Sequence, residues 1–298
     1  MAFDLEGLKA FLTYILTPSA PVFTAGFIIV CLFPILLHFI LHGRDPKFIS
    51  PPSVLLLGPS GAGKTALLTL FERNNSTISS EKLTTAPTHT SQAPGTVSLT
   101  IPSDPSDNHP PKKFLLIDTP GHAKLRSHAL SLLSPTASPE SARSKLTSVV
   151  FLVDAAALAD GDALPSTAAY LYDTLLALQK RMGAGRGSKA PSSIPVLVAA
   201  NKLDLFTALP AALVKSNLEA ELGRIRKTRS KGLLDSGVGA DDLAAGEEGD
   251  DWLGEYGSEK FSFKQMLEFD IEVDVIGGST TGDGPGAEKW WKWIAERI

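Results

Sequence analysis

Cysteine is almost missing from this chain: Cys31 is the only one among 298 residues, so no intrachain disulfide can form. The aqueous part of the chain therefore reads as a reduced, cytosolic domain. An excess of either charge is missing too. Lys and Arg number 28 against 32 Asp and Glu, a net charge of −4, which gives no basic footprint for nucleic acid. No direct nucleic-acid partner is expected. Lipid-attachment signals are also lacking, since Ala2 stands where N-myristoylation needs glycine and no cysteine lies near the C-terminus. The most local absence is of charge itself: Val22 to Leu41, VFTAGFIIVCLFPILLHFIL, holds no Asp, Glu, Lys or Arg.

Twenty helical residues rise about 30 Å, the thickness of bilayer hydrocarbon. A single transmembrane helix is therefore expected over 21–42, embedded through residues 22–41. Pro34 and His38 are compatible with insertion. A cleaved signal peptide would want a basic leader and a shorter apolar core. Here the leader carries Asp4, Glu6 and Lys9, which favours a retained anchor. Arg44 and Lys47 after the span outweigh Lys9 before it, placing the C-terminal side in the cytosol. The expected division is a short non-cytosolic segment at 1–20, the span at 21–42, a linker at 43–50 and a cytosolic domain at 51–298. Leu5, Leu8, Phe11, Leu12, Ile15 and Leu16 recur at helical spacing. They fit a helix on the far membrane face, an extension of the span, or disorder.

What the cytosolic part does contain is a complete phosphate-binding loop. Gly58-Pro59-Ser60-Gly61-Ala62-Gly63-Lys64-Thr65 matches G-x-x-x-x-G-K-[ST] at every fixed position. Val54-Leu55-Leu56-Leu57 before it reads as a buried parallel strand, and the residues from Ala66 to Phe71 read as the first turns of a helix. Glycines let the backbone turn its N–H groups inward, and the helix N-terminus adds partial positive charge at the same point. Gly58, Ser60, Gly61, Ala62, Gly63, Lys64, Thr65 and Ala66 are the residues expected to ring the phosphates. Lys64 would reach the outer phosphates, and the Thr65 hydroxyl would ligate Mg²⁺.

Two further motifs name the ligand. Phe114-Leu115-Leu116-Ile117 delivers Asp118 to a strand end, where ligands sit in open parallel sheets. Asp118 can hold Mg²⁺ through water, and the Gly121 N–H can bond a γ-phosphate. Ile194 to Ala200 is another buried strand, followed by Asn201-Lys202-Leu203-Asp204. The Asp204 carboxylate would accept two hydrogen bonds from guanine N1–H and its exocyclic amine. Adenine offers a lone pair at the ring position and would leave that charge unpaired. Lys202 would lay its stem along the base, and Asn201 would tie the loop to its neighbours. In this order the three motifs specify GTP.

Apolar strands near 54–57, 97–101, 114–117, 148–153, 195–200 and 271–276 alternate with helix-like stretches from 64, 124, 165, 209 and 287. The alternation predicts an α/β domain, a mostly parallel six-stranded sheet with helices on both faces. Three segments break the rhythm. Residues 102–112 read as a long hairpin loop, 74–96 as an irregular polar stretch, and 227–262 as a charged, glycine-rich insert expected to be disordered.

These residues resemble one family, the signal recognition particle receptor beta subunit, over nearly the whole chain. The likeness rests on a single N-terminal span joined to a Ras-like P-loop GTPase domain and on Asp118-Thr119-Pro120-Gly121-His122. It rests further on the stretch from Leu218 to Ser230, on Phe261-Ser262-Phe263, and on Glu288-Lys289-Trp290-Trp291-Lys292-Trp293-Ile294. The resemblance implies GTP/GDP and Mg²⁺ as cofactors. It also implies a single-pass endoplasmic reticulum protein whose GTP-bound form holds the N-terminal domain of the alpha subunit through its switch regions. Pro87-Thr88 resembles the Pro-Thr of Arf-like relatives, so Thr88 is chosen ahead of Thr90 to close over Mg²⁺. The last guanine loop departs from the usual Ser-Ala-Lys: Gly277-Gly278-Ser279-Thr280-Thr281 offers backbone N–H groups of Gly278 or Ser279 to the guanine oxygen, but no lysine. His122 occupies the place of the side chain that orients the attacking water, and without an identifiable arginine finger turnover should be slow.

Three function classes stay open: a GTP-switched membrane receptor subunit, a nucleotide-locked structural anchor, and an Arf-like trafficking GTPase with a transmembrane helix in place of a lipid. Intact Thr65, Thr88 and His122 favour a working switch over the second, and the missing lipid signals disfavour the third.

Overall fold

The computed structural model describes residues 9, 13, 20–42, 51–73, 87–102, 111–134, 145–184, 193–235, 252–254, 260–281 and 286–298. The chain divides into two compact units, Met1–Ile49 and Ser50–Ile298.

The first unit contributes one long helix, α1 (Ala20–His42), with Pro34 inside it. At 23 residues it is about 34 Å long. Its described side chains are mostly apolar and all exposed: Phe27 and Val30 are each 72% exposed, and Phe33 and Ile35 about 60%. Such a helix has no charged face to turn toward water. Among the described residues no helix is long and apolar enough to cross a membrane. Most of the stripe expected over residues 5–16 lies outside the described residues.

The second unit builds six strands: β1 (Pro52–Leu57), β2 (Gly95–Ile101), β3 (Lys112–Asp118), β4 (Lys145–Asp154), β5 (Val196–Asn201) and β6 (Val273–Gly277). They are joined with α2 (Lys64–Arg73), α3 (Arg126–Leu133), α4 (Ala163–Ala184), α5 (Ala211–Asp235) and α6 (Glu288–Arg297). The sheet order is β2-β3-β1-β4-β5-β6, with β2 antiparallel to β3 and every other pair parallel. Residues 102–112 thus join a hairpin, as the sequence predicts, although most of the loop lies outside the described residues.

Alternation along the strands sorts the core into two layers, because successive side chains point to opposite faces. Leu55, Leu57, Val149, Phe151, Val153, Val196 and Val198 face one way, beneath α3, α4 and α5. Val54, Leu56, Leu116, Val150, Leu152, Leu197 and Ala199 face the other, beneath α2 and the tryptophans of α6. With both faces covered, β1, β4 and β5 need continuous apolar runs, and that is what their sequences hold. The edge strand β2 alternates instead, leaving Thr96 and Ser98 exposed.

The insert at 227–262 needs correction at both ends. Helix α5 continues to Asp235, and Trp252-Leu253-Gly254 is packed onto the domain. Gln179 Nε2 donates to the Trp252 carbonyl (2.9 Å), and the Gly254 N–H donates back to Gln179 Oε1 (3.0 Å). Leu253 is fully buried, and the buried Arg226 guanidinium lies 4.9 Å from the Trp252 ring centre. Two of the insert's few large apolar side chains, Trp252 and Leu253, are used at this contact. The intervening 236–251 lies outside the described residues.

Candidate nucleotide site

The order of the sheet creates the site. The chain lays β2 and β3 on one side of β1 and β4 to β6 on the other, so a crevice opens at the C-terminal ends of the central strands. The loop after β1 enters it first. Leu67 N–H donates to the Gly63 carbonyl (2.9 Å), which starts α2 and leaves the N–H groups around Lys64 and Thr65 without helical partners. Gly63 sits at φ +97°, and a Cβ there would lie 2.2 Å from Asn201 Nδ2. No other residue fits.

The loop borders a cavity of about 180 Å³, lined by Ser60, Gly61, Gly63, Lys64, Thr65 and Ala66, by Thr88 to Ser91, and by Gly121. Lys64 Nζ donates to the carbonyls of Gly58 (2.9 Å) and Pro59 (2.8 Å). Burial lowers its pKa to about 8, against the pull of Asp118 and with the push of Arg126. A phosphate anion in the cavity would reverse that shift.

The donor set fits a hard cation as well. Thr65 Oγ1 donates to Asp118 Oδ2 (2.7 Å), while Asp118 Oδ1 is buried without a hydrogen-bond partner among the described residues. Burial pushes the Asp118 carboxyl upward, and the bond from Thr65 and the charge of Lys64 work the other way. A carboxylate with a lone pair left over, touching a hydroxyl at a phosphate cradle, is what Mg²⁺ and its waters require. Thr119 Oγ1 locks this end of β3 by donating to the Leu56 carbonyl of β1 (2.7 Å).

The base side is built at the ends of β4, β5 and β6. Asn201 Nδ2 donates to the Ala62 carbonyl of the phosphate loop (2.7 Å). Its Oδ1 accepts from the backbone N–H of Lys202 (2.8 Å) and of Thr280 (3.0 Å). Lys202 is held at φ +66°, a strained conformation for a side-chain-bearing residue, and its ammonium pairs with Asp154 at the end of β4. Ser279 Oγ donates to Asp204 Oδ1 (2.6 Å), fixing the carboxylate's orientation. Two glycines allow the loops to interlock: a Cβ on Gly277 would lie 2.4 Å from Leu203 Cδ1, and one on Gly278 2.8 Å from Trp290 Cζ2.

Comparison with known proteins agrees with this construction. A family model described as the signal recognition particle receptor beta subunit matches residues 49–268. The chain belongs to that family. The signal recognition particle receptor subunit beta of Saccharomyces cerevisiae (strain ATCC 204508 / S288c) is 27% identical over 249 residues, covering 83% of this chain and 84% of that one. Among solved structures, the SRb-GTP/SRX complex from Chaetomium thermophilum is 50% identical with a TM-score of 0.68, covering 83% of this chain and all of that one. SRb-GDP-Mg from the same organism is 51% identical with a TM-score of 0.61, covering 84% of this chain and 99% of that one. The fold is the Ras-like GTPase α/β fold, with its mostly parallel six-stranded sheet.

Within the beta-subunit family's frame, the structure gathers most of the residues that sequence singles out and redistributes a few. Gly58, Ser60, Gly61, Ala62, Gly63, Lys64, Thr65, Ala66, Asp118 and Gly121 meet at the phosphate end. Thr88 and Thr90 both line the cavity. Asn201, Lys202, Asp204 and Ser279 meet at the base end. Gly278 is a correction: its N–H donates to the Ala200 carbonyl (2.9 Å), because the β5–β6 ladder runs one residue further than expected, so it is not free for guanine. His122 lies outside the cavity lining. It is exposed and caps the 3-10 turn Ala123–Leu125, its Nδ1 accepting from the Lys124 N–H (3.3 Å). Asp154 and Trp290 were not singled out for the site. Asp154 carried a usable signal, a carboxylate closing an apolar strand in the manner of Asp118.

Proposed function

We propose that this chain is a guanine-nucleotide-switched receptor subunit, anchored through residues 22–41 in the endoplasmic reticulum membrane, that holds the alpha subunit's N-terminal domain when GTP is bound. GTP or GDP with Mg²⁺ is its ligand. The observation that carries the reading is the single frame joining the two ends of the site. Asn201 bridges the phosphate loop to the base loops, while Ser279 aims Asp204 at the base position. The neighbours solved as SRb-GTP/SRX and SRb-GDP-Mg support the same ligands and a GTP-state partner. The helical character of α1 and its lack of Asp, Glu, Lys and Arg support the anchor.

In this reading Lys64 and the N–H groups at the start of α2 bind the phosphates, Thr65 and Asp118 hold Mg²⁺, and Thr88 completes its shell. The metal would neutralise charge developing between the phosphates. Asp204 pairs with the guanine edge, Lys202 covers the base, and Gly121 reports the γ-phosphate to the segment that follows it. The capped, exposed His122 favours slow turnover, with loading as the assembly signal.

One experiment tests base and switch together. Full-length protein in micelles is loaded with GTP, GDP or XTP and used to capture the alpha subunit's N-terminal domain. Wild type should retain it with GTP and release it with GDP. Asp204→Asn should lose the GTP response and gain one to XTP. Equal capture in GTP and GDP removes the switch, and an unchanged base preference removes Asp204 from the pocket.

A further inference from the structure

The phosphate cavity contains a histidine, and it is not the one that the motif names. His89, an exposed residue, lines the cavity with Thr88 and Thr90, as does Lys64. Among the described residues its imidazole has no hydrogen-bond partner, whereas His122 spends Nδ1 on its cap. The neighbouring Ser91 hydroxyl is also committed, donating to the Ala93 carbonyl (2.8 Å). Among the described residues no carboxylate lines the cavity, and Asp118 is bonded to Thr65. The described 88–91 segment therefore brings hydroxyls and an uncommitted imidazole to the lining.

We propose that His89 is a phosphate-contacting residue that distinguishes GTP from GDP, donating an N–H to the terminal phosphate and thereby holding the 87–91 segment against it. This rests on the guanine-nucleotide reading above and adds to it the residue through which that segment senses the third phosphate. A donor bonded to a charged oxygen is stronger than a neutral pair. Because the contact is to the terminal phosphate, it adds to GTP affinity and not to GDP affinity. In partner binding, the same contact presents Thr88 to Ser91 as an ordered surface only in the triphosphate state.

The test compares affinities for GDP and for a non-hydrolysable GTP analogue, measured with Mg²⁺ by displacement of a fluorescent nucleotide from the full-length protein in micelles. His89→Ala should weaken analogue binding about ten- to hundredfold, the size of one hydrogen bond to a charged group, with GDP binding held within about twofold. His89→Asn, which keeps an N–H donor, should recover part of the loss. His128→Ala, an exposed histidine on α3, should leave the ratio as in wild type. Equal loss for both nucleotides, or no loss in His89→Ala, overturns the proposal. Wild-type protein that binds neither nucleotide overturns the guanine reading itself, and the two failures are distinguishable.

Discussion

Gly63 and Asn201 should behave as one unit, and a double-mutant cycle can show it. Gly63 has φ +97°, and a Cβ there would lie 2.2 Å from Asn201 Nδ2. Gly63→Ala therefore carries backbone strain of about 1–2 kcal/mol and also expels the Asn201 carboxamide. That side chain makes three bonds, to the Ala62 carbonyl, the Lys202 N–H and the Thr280 N–H. At about 1 kcal/mol net each, the single substitution should cost roughly 4–5 kcal/mol. Asn201→Ala loses the same three bonds without the strain, so roughly 3 kcal/mol or somewhat more where buried partners stay unpaired. In the double variant the clash has gone, and only the strain adds to the loss. The two single effects should therefore exceed the double by about 3 kcal/mol. Dissociation of a fluorescent GDP analogue, with thermal midpoints of the same ligand-free proteins in micelles, reads the four corners. Additivity within about 0.5 kcal/mol would show that the two loops are not joined through this contact.

Lys64 provides a pH test. Its folded pKa is about 8 against 10.5 for the unfolded chain, so between these values the unfolded state holds more protons and stability should rise with pH. Thermal midpoints of ligand-free wild type should climb relative to Lys64→Met from pH 8 to 10.5, and the climb should vanish with GDP and Mg²⁺ present, whose phosphates keep the amine charged. Parallel curves in the absence of ligand would contradict the burial argument. Trp290→Phe removes the N–H that bonds the Ile276 carbonyl at 3.0 Å and should weaken GDP binding about five- to tenfold through the adjoining base loop. Gly278→Ala should be worse alone than in that background, because Phe lacks the ring atom that the new Cβ would strike, and equal losses would refute the contact.

Sequence reading located all six strands and the three nucleotide motifs because each is a local rule. A buried parallel strand needs a run such as Val54 to Leu57, and a phosphate turn needs glycine where the backbone turns left-handed. Relations between distant segments were harder to read. Nothing in Gly278-Ser279 reveals that the first spends its N–H on Ala200 while the second offers a hydroxyl to Asp204. The insert looked disordered because its apolar residues are few. Trp252 and Leu253 nevertheless suffice to pin one end when Gln179 and Arg226 are waiting on α4 and α5. His122 was named by position after Gly121, but an imidazole beside a free N–H two residues on can cap a turn, and here it does.

The missing lysine of the last guanine loop shows how a fold can replace a side chain with packing. A lysine stem there would brace the base from one side. Here the loop is braced from below, where Trp290 fills the space a Cβ at Gly278 would need and bonds the Ile276 carbonyl. Trp293 Nε1 (2.7 Å) and Arg297 (2.9 Å) both bond Asp274 Oδ2, pinning β6 just before the loop leaves the sheet. Leu203 locks in from the other motif, its N–H donating to the Gly278 carbonyl (3.2 Å). Each of these contacts is buried or half-buried, so each strengthens in the low dielectric there, whereas water would screen an exposed lysine. The terminal helix thus braces the loop that, on the guanine reading proposed above, meets the base. Weakening it should release the base loop while Gly58 to Thr65 still cradle phosphate, separating guanine selectivity from phosphate affinity within one site.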